Sequence, residues 1–403
     1  MEKARTLFQS GKIEEAYRYN KRLLAEYPQN LEAQTYVAIL TYWKGNPERA
    51  LAMFQSILKT YPTNPTAIQY KAELQEVLST QISLKSDVQK DSQPLMRNTN
   101  TLNISKFVHS YFSPGIEYQY STLNDTNTSQ IHGLKIYNTF IWPSVGMRVK
   151  TSIGVYQFQS QTKPTYNINL QQKITSNIYT NVDLEKTYYW NTLSSLQDVV
   201  NVNSIKAYVD YNKTNKWNVR LGDYIYLFNN GAEIQNPYAW ILSPTLKWRG
   251  LSARVGYAFA YANANKNSYE SVDSLSTILA NFDSTKALQG HYVPYFSPKE
   301  QMIHSVLVSL SYQINKKMDL RLRAALPLNA QAKNPYLYLD LDPNAQVYIA
   351  KGYSSETYSP MEFHAEYTYK IHPTFTLNLN YGYAKAFFFD SHQIGVGLNY
   401  QLR

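Results

Sequence analysis

From about residue 106 to the C-terminus, apolar and polar residues alternate with a period of two. In the last stretch Ile394, Val396, Leu398, Tyr400 and Leu402 share one parity, and Gly395, Gly397, Asn399, Gln401 and Arg403 share the other. The stretch before it sets Phe375, Leu377, Leu379, Tyr381 and Tyr383 against Thr376, Asn378, Asn380 and Gly382. Leu251–Phe259 and Val306–Tyr312 repeat the scheme. Successive side chains of a strand point to opposite faces, so this pattern predicts strands with one apolar face. Sandwich strands are usually ~5–6 residues long. These run to ~10, the length that crosses a bilayer at a tilt. Short turns fall at Pro143-Ser144, Thr175-Ser176, Lys213–Lys216, Arg249-Gly250, Asn315–Lys317 and His372-Pro373, and the stretches 263–302 and 333–360 are long. Short turns at one end and long loops at the other are the asymmetry of outer-membrane barrels. The expected fold is mainly β: an antiparallel transmembrane β-barrel of about 14 strands over residues 106–403. The first strand is placed at about 115–122, and a hairpin over Tyr338–Leu341 and Gln346–Ala350 would raise the count to 16. Either count is even, which places both ends of the barrel on its periplasmic side.

The first 80 residues carry a different period. Gly11 recurs as Gly45, Ala16 as Ala50, Tyr27 as Tyr61, Pro28 as Pro62, Asn30 as Asn64, Ala33 as Ala67 and Tyr36 as Tyr70, always 34 positions apart. A 34-residue helix–turn–helix period is that of tetratricopeptide (TPR) repeats. Gly11 and Gly45 turn the chain, Ala16 and Ala50 let paired helices approach, and Pro28 and Pro62 follow helix ends because proline cannot continue the hydrogen-bond ladder. Asn20 stands where an aromatic is usual; Phe54 fills the matching slot. A last helix is expected from about Pro65 to Leu78. Residues 1–80 are therefore read as a small all-α TPR segment, and 81–105, rich in Ser, Gln, Asn and Asp, as a linker.

Composition agrees. Tyrosine is abundant, 37 against 15 Phe and 6 Trp, which suits surfaces that are half apolar and half wet. Mean hydropathy is −0.44, and no apolar run approaches the ~20 residues of a spanning helix. Trp142, Trp217 and Trp248 beside the short turns, with Tyr400, predict one interfacial belt; Trp190, Trp240 and Phe387–Phe389 predict the other. Cysteine is absent, which suits an oxidising periplasm. The chain opens Met-Glu-Lys-Ala-Arg without an apolar leader, so an export signal is expected to be trimmed or to lie upstream.

Parity assigns Arg148, Lys150, Arg220, Lys247, Arg254, Arg321, Arg323 and Lys370 to the lumen near the short turns, with Asp183, Glu185, Asp210, Asp319, Glu362 and Glu366 also inward. Unpaired, the cations would form a basic constriction that favours anionic or polar solutes; mutually paired, they would fill a closed lumen. The net charge of +10 is diffuse, with no basic cluster on a nucleic-acid motif, so no nucleic-acid partner is expected. Hydrolase, nucleotide and zincin motifs are absent. Of the candidates His132, His304 and His364, His304 has outward parity and His364 is placed inward, with Glu362 and Glu366 on its face. No catalytic residue, metal or cofactor is expected.

Several segments resemble the YaiO family of outer-membrane β-barrel proteins: the repeats at 11–36 and 45–70, Tyr-Phe-Ser-Pro-Gly-Ile-Glu-Tyr at 111–118, Tyr-Phe-Ser-Pro-Lys at 295–299 and Gly-Val-Gly-Leu-Asn-Tyr at 395–400. More distantly the chain is similar to TPR-plus-barrel exporters of exopolysaccharides. The resemblance implies an outer-membrane location, a periplasmic TPR segment that docks a periplasmic protein, and a channel or export portal for a polysaccharide or solute. The alternative it leaves is a closed barrel that anchors the TPR module and presents its loops.

Overall fold

The computed structural model describes residues 2–9, 13–92, 95–124, 128–158, 160–192, 194–196, 200–213, 215–386 and 389–402. The 34-residue period resolves into helices α1 (Glu2–Gln9), α2 (Ile13–Glu26), α3 (Leu31–Trp43), α4 (Pro47–Thr60) and α5 (Pro65–Leu78). The recurring Asn30 and Asn64 are N-caps: their side chains accept hydrogen bonds from Ala33 N at 3.0 Å and Ala67 N at 2.8 Å, each satisfying an orphan donor of the first turn. Pro47 and Pro65 occupy first-turn positions, where the missing N–H costs nothing. Ala16 and Ala50 are fully buried, and Phe54 stacks on Tyr70 with ring centroids 5.2 Å apart. Asn20 in the corresponding slot is equally buried and donates to Ala16 O at 2.8 Å. Pro28 and Pro62 sit in the exposed turns after α2 and α4. Gly11 lies outside the described residues.

The barrel has 16 strands, not 14. They are β1 (Thr80–Asp91), β2 (Met96–Lys106), β3 (Ser113–Asn124), β4 (Thr128–Trp142), β5 (Met147–Phe158), β6 (Gln161–Lys173), β7 (Ile178–Tyr189), β8 (Val200–Asn212) and β9 (Asn218–Phe228). There follow β10, interrupted (Glu233–Gln235, Tyr238–Leu242, Leu246–Trp248), β11 (Leu251–Ala264), β12 (Gln301–Asn315) and β13 (Met318–Leu341). The last are β14, in two pieces (Val347–Thr357, Met361–His372), β15 (Phe375–Lys385) and β16 (Asp390–Leu402). Neighbours pair antiparallel throughout, and β1 closes on β16 from Thr80↔Leu402 to Asp91↔Ser391. Closure of the ring leaves its sixteen strands without an open edge.

The expected linker is the missing pair of strands. Most of residues 81–105 belong to β1 and β2, which pair antiparallel from Thr80↔Lys106 to Lys90↔Met96. Their Ser, Asn and Gln residues suggested a loop, but polar side chains are what strands need where they face a lumen. The hairpin at 338–350 exists, yet it only extends β13 and β14 past the barrel (Leu341↔Val347) and adds no strands to the ring.

Outward positions carry exposed apolar side chains. Ile82, Ile104, Ile116, Ile136 and Ile153 lie directly opposite one another across five strands, and Ile153 is 63% exposed. An apolar belt of this extent is stable only against hydrocarbon or another apolar surface. The exposed Trp217, Trp248 and Tyr400 edge it at the end that carries the helices. Trp142 joins them beside its turn, stacked on Phe140.

The second belt differs from expectation. Trp190 packs inside the far mouth against Phe158 and Tyr188. Trp240 faces the lumen beside Arg220. Phe387 lies outside the described residues, and Phe389 lines a cavity in the mouth. The outward aromatic residues toward the far end come as Tyr–His pairs instead: Tyr118–His132 at 2.9 Å, Tyr257–His304 at 2.6 Å and Tyr381–His392 at 2.9 Å.

The helical segment is fused to the ring, since Ser79 alone separates α5 from β1. Ser79 Oγ and Gln81 Nε2 donate to Glu76 O, and Gln401 Nε2 of β16 donates to Glu76 Oε1 at 3.1 Å. The α3–α4 turn touches the rim a second time. A Cβ on Gly45 would fall 2.6 Å from Ser110 Cβ and 3.3 Å from Pro143 Cγ, and its φ of +84° is one that glycine adopts without strain.

Candidate functional site: the barrel interior

Parity along sixteen strands delivers one side chain in two to the interior, so what the lumen can do follows from which residues share a row. At the helical end a cavity of about 840 Å³ is lined by Arg220, Trp240, Lys247, Arg254, Arg323, Glu362 and His364. Four of the eight expected lumen cations, Arg220, Lys247, Arg254 and Arg323, therefore meet in one vestibule. Arg148 and Lys150 also face inward, on β5; Lys150 Nζ sits 4.0 Å from the Tyr137 ring centroid.

The basic rim is partly neutralised. Arg220 makes a two-pronged pair with Asp210, Nε–Oδ1 2.6 Å and Nη2–Oδ2 2.8 Å. Arg321 lies 2.8 Å from Asp319 and 4.0 Å from Glu366. Lys135 lies 3.9 Å from Glu117. Among the described residues, no carboxylate comes within ion-pairing distance of Arg148, Lys150, Lys247, Arg254 or Arg323. The vestibule is thus positive but not a bare arginine ring.

His364 stands opposite Arg323 and Gly382, and Glu366, its expected companion, is opposite Arg321. The trio is a column along β14, each member facing a different neighbour. No group of three His, Cys, Asp or Glu side chains suited to a metal occurs among the described residues.

The far mouth is constricted by two segments that turn into the barrel. One follows β7: Trp190 and Leu196 join Leu95, Leu123, Ile131, Tyr156, Phe158 and Tyr188 in an apolar cluster. The other comes from the long connection between β11 and β12, where Tyr295 enters a second cluster with Val200, Val202, Phe228, Ala232, Ile234 and Ala264. Tyr295 is 2% exposed, its ring lies 3.8 Å from that of Phe228, and its hydroxyl meets Asn230. The two segments bind each other: the Thr192 hydroxyl donates to Pro294 O, and Ser194 Oγ to Tyr292 O at 3.0 Å. Arg97 on β2 ties the first to the wall through Trp190 O and Asn191 Oδ1. Cavities of about 230 and 300 Å³ lie in this mouth, both lined in part by Gln89 and Arg97.

Comparison with known proteins agrees with this architecture. Residues 7–75 match the tetratricopeptide repeat family model. No curated protein sequence matches the chain. Among solved structures, a "bacterial polysaccharide outer membrane secretin" superposes with a TM-score of 0.58 at 9% identity, over 81% of this chain and 99% of that one. CdiB from Acinetobacter baumannii (TM-score 0.43, 10% identity, 80% and 60% of the two chains) and OccK3 from Pseudomonas aeruginosa (0.41, 8%, 82% and 97%) are also similar, more loosely. The fold is that of an outer-membrane β-barrel with N-terminal tetratricopeptide repeats.

What sequence reasoning missed is the inward aromatics. Tyrosine reads naturally as an interfacial residue, yet Tyr137, Tyr156, Tyr208, Tyr224, Tyr226 and Tyr238 have lumen parity. The signal was available: Tyr224, Tyr226 and Phe228 share the parity of Arg220, and Tyr208 that of Asp210.

Proposed function

We propose that this protein is an outer-membrane export portal for a polar polymer of the polysaccharide class, with its helical end in the periplasm and its far end shut at rest by the two inward segments. The observation that carries the reading is the graded interior: a wide charged vestibule at the helical end, and an apolar constriction in which the loop residues Trp190, Leu196 and Tyr295 pack onto the barrel wall. A barrel whose only task was anchoring could be filled by wall side chains; loops that fold inward can also withdraw. The repeats, held to the rim at Glu76 and at Gly45, stand beside the vestibule entrance, where a docked periplasmic protein would hand over substrate. The similarity to a polysaccharide secretin supports the fold required, and the resemblance of several segments to the YaiO family agrees with it. We assign no catalytic role to His364 and its neighbours.

The apolar clusters in the mouth favour one competing reading, a permanently closed anchor. Planar-bilayer recording separates the two. The portal reading expects small or rare conductance from the intact chain and large steps after residues 292–298 are replaced by a short Gly/Ser turn. A folded barrel that stays silent after that replacement refutes it.

A further inference from the structure

The lumen wall between β6 and β11 is sorted into three vertical stripes. On β6 and β7 the inward residues are amides and carboxylates: Asn167 opposite Glu185, Asn169 opposite Asp183 and Gln171 opposite Asn181. On β8 to β10 aromatic side chains join them, interspersed with charged and small ones. Asp210, Arg220 and Trp240 form one row; Asn181, Tyr208, Gly222 and Tyr238 form the next; then come Lys206 with Tyr224, Ser204 with Tyr226, and Val202 with Phe228. On β11 the inward residues shrink to Gly256, Ala258, Ala260 and Ala262, with Ala258 opposite Trp240 and Ala260 opposite Tyr238.

The aromatic residues form two groups along the wall. The Arg220 guanidinium lies 3.9 Å from the Tyr208 ring centroid and 5.3 Å from that of Trp240. Tyr224 and Tyr226 rings are 4.2 Å apart, and Tyr226 to Phe228 is 6.3 Å. Gly222 makes the second row possible, because a Cβ there would meet the Tyr238 ring at 2.6 Å. Trp240, Tyr208, Tyr238 and Tyr224 remain half-exposed to the lumen, as do Ala258, Ala260 and Ala262. The small-residue stripe thus leaves an open groove alongside the rings.

We infer that this groove is a track for a neutral saccharide chain, a refinement that rests on the portal reading above. A pyranose ring has apolar C–H faces, which stack on aromatic rings, and hydroxyl edges, which need planar amide and carboxylate partners. The wall offers both side by side, in steps of two strand residues, ~7 Å. Along the track Asp210 is paired with Arg220 and Asp183 stands opposite Lys206, so the fixed charges nearly cancel, which favours a chain without net charge. The uppermost rung, Phe228, is stacked on Tyr295 of the far-mouth constriction. A sugar ring reaching Phe228 competes with Tyr295 for the same face, which couples arrival of the chain to release of the closure.

The test is calorimetric titration of the full chain, in a detergent without sugar headgroups, with cellohexaose, chitohexaose and hexagalacturonate. The neutral hexamers are expected to bind and the polyuronate not. Trp240→Ala and Tyr224→Ala should each weaken neutral binding about tenfold, the scale of one lost aromatic contact. Trp240→Phe should retain most of it, and Tyr166→Ala, on the outer face, should leave it unchanged. Heat-dependent gel mobility verifies that each variant is a folded barrel. No binding of either neutral hexamer at millimolar concentration, preference for the polyuronate, or folded Trp240→Ala and Tyr224→Ala proteins that bind like wild type would each overturn the track. Conductance without sugar binding removes the track and leaves the portal; sugar binding by a barrel that never conducts removes the portal.

Discussion

Tyr295 is the side chain on which the closure of the far mouth depends most directly. Its ring is buried between Phe228 and the Val200–Val202 wall, and its hydroxyl exchanges hydrogen bonds with Asn230 at 2.8 and 3.1 Å. Truncating a buried aromatic to alanine costs about 3–5 kcal/mol. If the segment leaves the lumen when the channel opens, Tyr295 is solvated in the open state, and Tyr295→Ala withdraws that stabilisation from the closed state alone. At about 1.4 kcal/mol per decade, the open-to-closed ratio should rise by roughly two to three and a half orders of magnitude. Tyr295→Phe keeps the ring and loses only the hydroxyl contacts, about 1 kcal/mol, so it should raise the ratio about fivefold. Single-channel recording at fixed voltage reads the open probability of all three proteins. A Tyr295→Ala protein that runs as a folded barrel and opens no more often than wild type would refute the argument. The closure would then be held by the wall clusters and not by this segment.

Other expectations follow from the same structure. Gly45→Val places a branched side chain where Ser110 already sits 2.6 Å from a Cβ and φ is +84°, so the helical segment should undock from the rim, seen as faster proteolysis in α3 and α4 with the barrel intact. Ile153→Arg sets a charge in the middle of the apolar belt and should cost about 2–4 kcal/mol in a folding titration into lipid vesicles, whereas Ile153→Leu should be nearly silent. Phe54→Ala empties a fully buried site in the repeat core and should cost about 3–5 kcal/mol, enough to unfold the repeats without unfolding the barrel; far-ultraviolet circular dichroism would show helix lost and strand kept. The Arg5 hydrogen bonds hold Glu32 below the ordinary carboxylate range. Folding therefore gains from this pair above the unfolded value of about 4.3 and loses the gain as pH falls through the lower folded value, so hydrogen exchange of α1 should accelerate on acidification and Glu32→Gln should remove that dependence.

Much of this protein was legible without coordinates, for identifiable reasons. A two-residue period fixes which face every barrel side chain takes, because a strand has no other choice. Parity puts Arg148, Lys150, Arg220, Lys247, Arg254, Arg321 and Arg323 on the polar face of their strands; that Arg220, Lys247, Arg254 and Arg323 line one cavity depends on the ring. The repeat at offset 34 gave Ala16, Ala50, Phe54 and the caps Asn30 and Asn64 their partners, since a repeating helix pair buries the same positions each time. Parity is harder to read where polar residues also occupy the outward face. On β1 and β2 both faces carry Ser and Asn, such as Ser86 and Asn98 outward and Ser83 and Asn103 inward, and the hairpin was mistaken for a linker. Nothing local distinguishes a polar strand from a polar loop; pairing with β16 and β3 does, and those partners lie almost the whole chain away or across a turn. Trp190 and Tyr295 were beyond sequence reasoning for a similar reason. Whether a loop at the rim turns outward or folds into the lumen depends on the space the sixteen strands leave between them, and that space exists only once the ring has closed.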